Sequence, residues 1–384
     1  MSIPMRRSQK IQIGPLFIGG DSPILIQSMC STKTVNVDAT VEQIDRLVRA
    51  GAGLVRLAVD TDNDVQALSQ IRARTDALLS VDLQENFRLA EKVAPYVQKI
   101  RYNPGHLHHR EPELSWKKKV EYLVETARKF DLALRIGVNC GSIAPDKIAG
   151  QGTADSATVS MPDDPMLASA LEHSAFLKSL GFNRFCVSIK DSHPENVLRA
   201  NRWFASVCPE IPIHLGVTEA GMPPWGITKS RLAMEPLLSE GIGDTLRVSL
   251  TVPSERKEEE VQAGQMIVDN VQNGTIIDPA SVSLPKLNIV SCPSCSRVQN
   301  GAFVALAEKV REATAFARDV PLTIAVMGCR VNGPGETDSA DIGLWCGPEH
   351  VNLKEGPVFR GSWKYEEIIE KMLEILAQKG IVKE

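Results

Sequence analysis

Short apolar runs alternating with amphipathic stretches are the strongest constraint this chain places on its own fold. The runs are Ile24–Met29, Leu54–Val59, Leu78–Val81, Lys99–Tyr102, Ala133–Val138, Arg184–Ile189, Ile213–Val217 and Thr245–Leu250. Between them lie stretches with helical spacing, among them Val41–Ala50, Trp116–Phe130, Pro165–Leu180, Pro194–Val207 and Lys229–Glu240. Repetition of βα units over about 250 residues has the size and rhythm of a TIM barrel. A doubly wound open sheet is the alternative, but no GxGxxG opens a first helix. The last helix of the series is expected over Glu255–Asn273. Its acidic start suits a helix N-terminus, and Asn273-Gly274 ends it.

From about Thr275 the pattern changes. Leu287–Val290 and Leu322–Val326 read as strands, Ala302–Ala317 as a helix between them, and Tyr365–Gln378 as a terminal helix. The chain of 384 residues is therefore expected to form two domains, 1–273 and 274–384, the second a small α/β unit. The net charge of −4 gives no basic surface for nucleic acid. No apolar run approaches the length of a membrane span. Met1 to Lys10 lacks the apolar core of a signal peptide. Eight cysteines in so long a chain do not look like a disulfide framework, so a reducing, cytoplasmic setting is expected. The sequon Asn273-Gly274-Thr275 is discounted on the same ground.

The chemistry concentrates in two places. The first is Cys292-Pro293-Ser294-Cys295, followed by Cys329 and the run to Glu336. A CxxC pair presents two thiolates on one turn, close enough to share a metal or a cluster. Three thiolates and one other ligand would leave a cluster iron chemically available. With Cys346 as a fourth sulfur, the same residues would make a zinc site, so spacing alone leaves cluster and zinc both open.

The second place is the set of strand ends, where a TIM barrel carries its active site. Polar residues in or just after the strands include Arg56, Asp82, Arg101, Asn103, Arg135, Asn139, Lys190, His214, Glu219, Arg247 and Ser249. Buried strand cations are unfavourable unless paired or bound to something. Arginines recurring from strand to strand point to a polyanion, and a diphosphate is the natural ligand. The competing reading is that each forms an ion pair near the rim or faces the helix layer, and parity cannot be fixed without the register. His214 alone reads as structural. His106, His108 and His109 read as a polar loop, with metal binding the lesser alternative.

These residues resemble the bacterial 4-hydroxy-3-methylbut-2-enyl diphosphate synthase family of the methylerythritol phosphate route to isoprenoids. The resemblance covers almost the whole chain. It is carried by Ala50 to Arg56, Ile100 to Gly105, Leu134 to Asn139, Gly216 to Gly221, Gly243 to Thr251, Cys292 to Arg297, and Met327 through Glu336. It implies a TIM barrel joined to a [4Fe–4S] domain similar to part of sulfite and nitrite reductases. It implies Cys292, Cys295, Cys329 and Glu336 as cluster ligands, with Cys346 structural. The implied substrate is 2-C-methyl-D-erythritol 2,4-cyclodiphosphate, opened reductively with electrons from flavodoxin or ferredoxin. A head-to-tail homodimer is implied, one chain's cluster closing over the other's barrel. One departure is visible: Asp82-Leu83-Gln84-Glu85 stands where the family usually carries a histidine two residues after the aspartate.

On this reading Arg56, Arg101, Arg135, Lys190 and Arg247 neutralise the diphosphate, while Asn103, Asn139, His214 and Ser249 orient it. Glu219 is the candidate acid for the leaving hydroxyl, and a carboxylate merely paired with a rim arginine is the alternative. The linker Asn273–Leu284 leaves the barrel at the end opposite the rim, so the second domain is expected to reach a neighbour's rim rather than its own. The competing classes are a sugar-phosphate lyase or isomerase with a structural zinc domain, and a zinc-ribbon nucleic-acid binder, which the acidic balance disfavours.

Overall fold

Strand register decides which side chains fill the barrel. The computed structural model describes residues 6–143, 164–329 and 331–382. Arg330 of the second cysteine motif and the first five residues lie outside the described residues. A short hairpin, β1 (Ile11–Ile13) and β2 (Leu16–Ile18), comes first and was not foreseen in the sequence. Its isoleucines pack on Leu54, Ala133 and Cys186.

The barrel strands follow: β3 (Leu25–Met29), β4 (Leu54–Ala58), β5 (Leu79–Gln84), β6 (Lys99–Tyr102), β7 (Ala133–Asn139), β8 (Phe185–Lys190), β9 (His214–Leu215) and β10 (Thr245–Leu246). They pair in parallel in the order β8-β7-β6-β5-β4-β3-β10-β9, and a bridge between Val187 and Ile213 joins the two ends. This is the expected (β/α)8 barrel. Strands β9 and β10 are shorter than expected, at two residues each. Beyond them the chain leaves the ladder and bonds to the second domain instead. Ala220 bridges Ser291, and the Thr251 hydroxyl lies 2.6 Å from that of Ser291.

Alternation sorts the strands into two faces. Leu79, Val81, Leu83, Ile100, Tyr102, Leu134, Ile136 and Val138 all join the core beneath the helices. The alternate positions face inward, where Asp82 pairs with Arg101 and Arg101 with Arg135 across the ladder. The upper interior is thus polar rather than aliphatic, which is unusual for this fold. Gly137 permits this, because a Cβ there would stand 2.1 Å from Arg101 Nε.

Helices α1 (Val37–Arg49), α2 (Asp62–Arg72), α3 (Ala90–Val93), α4 (Trp116–Lys129), α5 (Pro165–Ser179), α6 (Pro194–Val207), α7 (Trp225–Ser239) and α8 (Glu259–Asn273) surround the barrel. Gly274 ends α8 in the left-handed region at φ 70°. The C-terminal domain is a five-stranded sheet, β11 (Leu287–Ser291), β12 (Leu322–Met327), β13 (Ile342–Cys346), β14 (His350–Glu355) and β15 (Val358–Lys364), in sequence order. The first three strands are parallel and the last two antiparallel. Helices α9 (Ala302–Ala313), α10 (Gly333–Ser339) and α11 (Ile368–Gln378) complete it. Its own core gathers Phe303, Val310, Ile324, Leu344, Leu353, Ile368 and Met372.

Within this chain the C-terminal domain meets the rim of its own barrel, where a neighbour's rim was expected. The linker climbs the outside of α7. Ile277 N donates to Glu235 Oε2 at 2.6 Å, and higher up Lys229 Nζ donates to Asn288 Oδ1 at 2.5 Å. A helix of 15 residues is about 22 Å tall, while the 12 residues Thr275–Lys286 span up to about 40 Å. The linker is therefore long enough for the climb to its own rim.

Candidate active site between the barrel rim and the C-terminal domain

The rim and the cysteine loops line one cavity. From the barrel it takes Arg56, Asp82, Arg101, Arg135, Asn139, Lys190, Glu219, Arg247 and Ser249. From the C-terminal domain it takes Cys292, Cys295, Arg297, Cys329 and Asn332.

The cations are not equivalent. Arg101 donates to Asp82 at 2.9 Å and to Gln84 at 2.7 Å. Arg247 pairs with Glu260 at 3.1 Å, and Lys257 shares that carboxylate at 2.7 Å. Arg56 finds only the Met29 sulfur, at 2.9 and 3.2 Å. Arg135 is 1 % exposed, and its Nε and Nη1 have no hydrogen-bond partner. No carboxylate lies within ion-pair distance of Arg56, Arg135 or Lys190 among the described residues. Burial, reinforced by neighbouring arginines, lowers all three below their usual range, Arg135 to about 10. Three buried cations without counter-ions make a site for an anion.

Arg297 ties the two domains together. It holds Asp60 through two nitrogens at 2.7 and 2.9 Å, Asp82 Oδ2 at 3.3 Å and the Asp82 carbonyl at 2.9 Å. Burial opposes the charge on Asp82, but Arg101, Arg297 and Arg56 outweigh it and hold the carboxyl well below its usual range. Arg297 was visible in the sequence only as part of the first cysteine motif. Its signal would have been the buried aspartate opposite it, which no local pattern reveals.

Glu219 is 2 % exposed and sits at φ 44°, a strained backbone for a glutamate. Its carboxylate accepts from the Thr218 hydroxyl, and from Asn332 Nδ2 at 2.7 Å. Burial raises its pKa despite these bonds and despite Lys190 and Arg247. A carboxyl held toward its protonated form beside an anion site suits a proton donor. Gly216 lets the neighbouring lysine in, since a Cβ there would lie 2.5 Å from Lys190 Nζ.

Cys292 and Cys295 follow β11, and Cys329 follows β12. Cys329 lies within hydrogen-bonding reach of both other thiols. Three adjacent thiols on one wall, opposite a cationic wall, fit a metal or cluster held by three sulfurs. Cys346 is buried in the domain core with its thiol toward Leu344 O, outside this wall.

Three expected site residues do not reach the cavity. Glu336, on α10, points to Cys140, whose thiol donates to Oε1 at 3.7 Å. It lines a separate pocket with Asp191 and Gly141, and burial, then Glu219 and Asp191, raise its pKa. Asn103 is spent on its own loop, accepting from Gly105 N and donating to Ser142 Oγ. His214 lies inside the barrel with Nδ1 2.6 Å from the Thr245 hydroxyl. Burial and the cations above it depress its pKa, so it carries no charge toward an anion.

The profile of the GcpE TIM-barrel domain matches residues 8–265, and that of the GcpE protein C-terminal domain matches residues 288–378. A curated relative from Rhodopirellula baltica, named 4-hydroxy-3-methylbut-2-en-1-yl diphosphate synthase (flavodoxin), is 56% identical over 97% of this chain and 96% of its own length. A relative of the same name from Nautilia profundicola is 36% identical over 96% of each chain. One from Clostridium perfringens is 35% identical over 97% of this chain and 98% of its own. With barrel and C-terminal domain both matched, and full-length relatives of one name, the chain belongs to the GcpE family of 4-hydroxy-3-methylbut-2-en-1-yl diphosphate synthases.

Proposed function

We propose that this chain is an oxidoreductase that opens 2-C-methyl-D-erythritol 2,4-cyclodiphosphate to 4-hydroxy-3-methylbut-2-enyl diphosphate. The observation that carries the reading is a single cavity lined by three thiols and by three cations that have no ion pair among the described residues. The reaction takes up two electrons and two protons, breaks the carbon–oxygen bond to the bridging phosphate, and releases one water.

Arg56, Arg135 and Lys190 take the diphosphate charge, because no carboxylate of the described residues lies within ion-pair distance of them. Arg101 and Arg247 are held by Asp82 and Glu260, so they shape the rim and contribute less to binding. Asn139 and Ser249 supply neutral hydrogen bonds at its edge. Glu219 donates the proton to the departing hydroxyl, and Asn332 orients it across the domain boundary. Cys292, Cys295 and Cys329 would hold a [4Fe–4S] cluster, and Glu336, the fourth ligand that the family resemblance implies, stands beside Cys140 outside the thiol wall. The cluster supplies electrons one at a time and Lewis acidity. Roofing by the C-terminal domain keeps bulk water off the charged wall and strengthens its hold on the anion.

Flavodoxin or ferredoxin is the proposed electron donor, as the names of the relatives suggest for flavodoxin. A head-to-tail homodimer also belongs to this reading, on the family resemblance. Exchange of C-terminal domains would form between two chains the same contacts seen within one. Mixing inactive Cys329→Ala and Arg56→Ala chains tests it. Recovered activity means exchange, and none after verified subunit mixing means each chain closes its own site.

The function itself is tested by phosphorus NMR on anaerobically reconstituted protein with reduced flavodoxin and the cyclic diphosphate. The two ring phosphorus signals should give way to those of a linear diphosphate. Iron-loaded protein that leaves the ring intact would refute the assignment.

A further inference from the structure

A second cavity, of about 330 Å³, lies outside the rim where barrel, linker and C-terminal domain meet. It shares no lining residue with the rim cavity. Its size falls at the lower end of small-molecule sites, about 300–1,000 Å³. Met222, Trp225, Leu287 and Ile289 give it an apolar lining, and Lys229, Arg311 and Arg318 set cations among them. No aspartate or glutamate lines it among the described residues.

The polar groups are short of acceptors. Lys229 has a neutral partner, Asn288 Oδ1 at 2.5 Å, and the amide nitrogen of Asn288 is buried without any partner. Arg311 Nη1 donates to Pro223 O at 3.2 Å, and Arg318 lies 5.7 Å from the centre of the Trp225 ring. Burial without a carboxylate lowers Lys229 to about 8. Cationic donors without a carboxylate, set among apolar side chains, suit an amphiphilic anion.

We propose that this cavity binds a short aliphatic phosphate or diphosphate ester, its headgroup on Lys229, Asn288, Arg311 and Arg318 and its chain along Met222 and Leu287. The occupant would touch all three segments that meet when the C-terminal domain sits on the rim. A ligand that binds only that arrangement stabilises it by mass action. The site would therefore act as an effector site that favours the closed enzyme. Binding is read without turnover, so its failure would leave the proposed function untouched.

The test is calorimetry on the full, cluster-loaded chain with geranyl diphosphate, geraniol and inorganic diphosphate as probes. Inorganic diphosphate is expected at the rim alone. Geranyl diphosphate is expected to show an additional site that inorganic diphosphate does not displace. Lys229→Met should weaken that additional site by about 10–100-fold, the effect of losing one charge-assisted contact. Arg135→Met, at the rim, should leave it unchanged. Arg318→Gln, on the solvent side, gives the same test should Lys229→Met fail to fold. Binding of geranyl diphosphate at one site only, fully displaced by inorganic diphosphate, would overturn the proposal. So would equal binding of geraniol, or an additional site indifferent to both Lys229→Met and Arg318→Gln.

Discussion

The two walls of the rim cavity are built in opposite ways. The barrel wall sets Arg56, Arg101 and Arg135 on strands paired on both sides, with Lys190 at the end of β8. The cysteine wall sets its thiols on loops after β11 and β12, in a domain hung on a linker. A rigid wall can keep buried charges unpaired, because strand register denies them the freedom to find partners. A hung wall can bring in redox ligands, provided something locks it in place, and Arg297 is that lock. Charge recognition and electron transfer are thus assigned to separate folding units that meet only when docked.

The largest expected effect falls on the hung wall. Cys292→Ala, Cys295→Ala or Cys329→Ala should each abolish both iron content and activity, while Cys346→Ala keeps its iron. Metal analysis alongside turnover checks this, and full iron loading of Cys329→Ala would break the ligand assignment. Next comes Glu219→Gln. Loss of a positioned acid should slow turnover by about 10²–10⁴-fold at nearly unchanged KM. Because burial raises the Glu219 pKa, its charge costs stability above the unfolded value, and neutral glutamine removes that cost, so the melting temperature at neutral pH should rise. A fall would mean the ionised carboxylate holds the site together.

Arg297→Ala tests the lock. Removing one partner of a buried ion pair costs about 3–5 kcal/mol, enough to depopulate the docked arrangement by roughly 100-fold or more. Turnover should fall while iron content stays. Within the rigid wall, Arg135→Met and Arg101→Met should diverge. The first removes an unpaired cation, weakening substrate by about 10–100-fold while raising stability. The second strips Asp82 of a partner and lowers stability. Equal behaviour in denaturant melts would erase the distinction between paired and unpaired rim cations. The smallest effect is on pH. Lys190 has its pKa lowered by burial and Arg135, and an anion binds its charged form. Affinity should therefore fall as pH rises through that lowered value, well before 10.5. Stability should rise across the same window, because the unfolded chain then binds more protons. Lys190→Met should flatten both curves.

The barrel was legible because its apolar runs recur at a spacing only βα units produce. Lys99–Tyr102 and Pro194–Val207 match residue for residue. The hairpin Ile11–Ile18 was not legible, since three-residue strands carry no periodic signal. Strands β13 to β15 were missed for another reason: β15 is an exposed edge strand, and Gly343 and Gly361 interrupt the apolar pattern. In the site, residue types revealed the cations and cysteines, but not which cations are paired. Asp60 lies 237 residues from Arg297, and Glu260, only 13 residues from Arg247, meets it from a helix rather than a strand. Asn103 and His214 look like binding residues until their partners are seen to be Ser142 and Thr245. The path of the linker was not legible because it depends on α7, a tertiary neighbour that sequence spacing does not supply.

The most direct test of the claim that both walls form one site is to titrate the cyclic diphosphate into reduced, iron-loaded protein and follow the iron by Mössbauer spectroscopy. The expected result is a change in the iron spectrum that saturates together with binding at the rim, measured by calorimetry, and that is lost in Arg297→Ala. Saturation of the rim with an unchanged iron spectrum in the intact protein would contradict it.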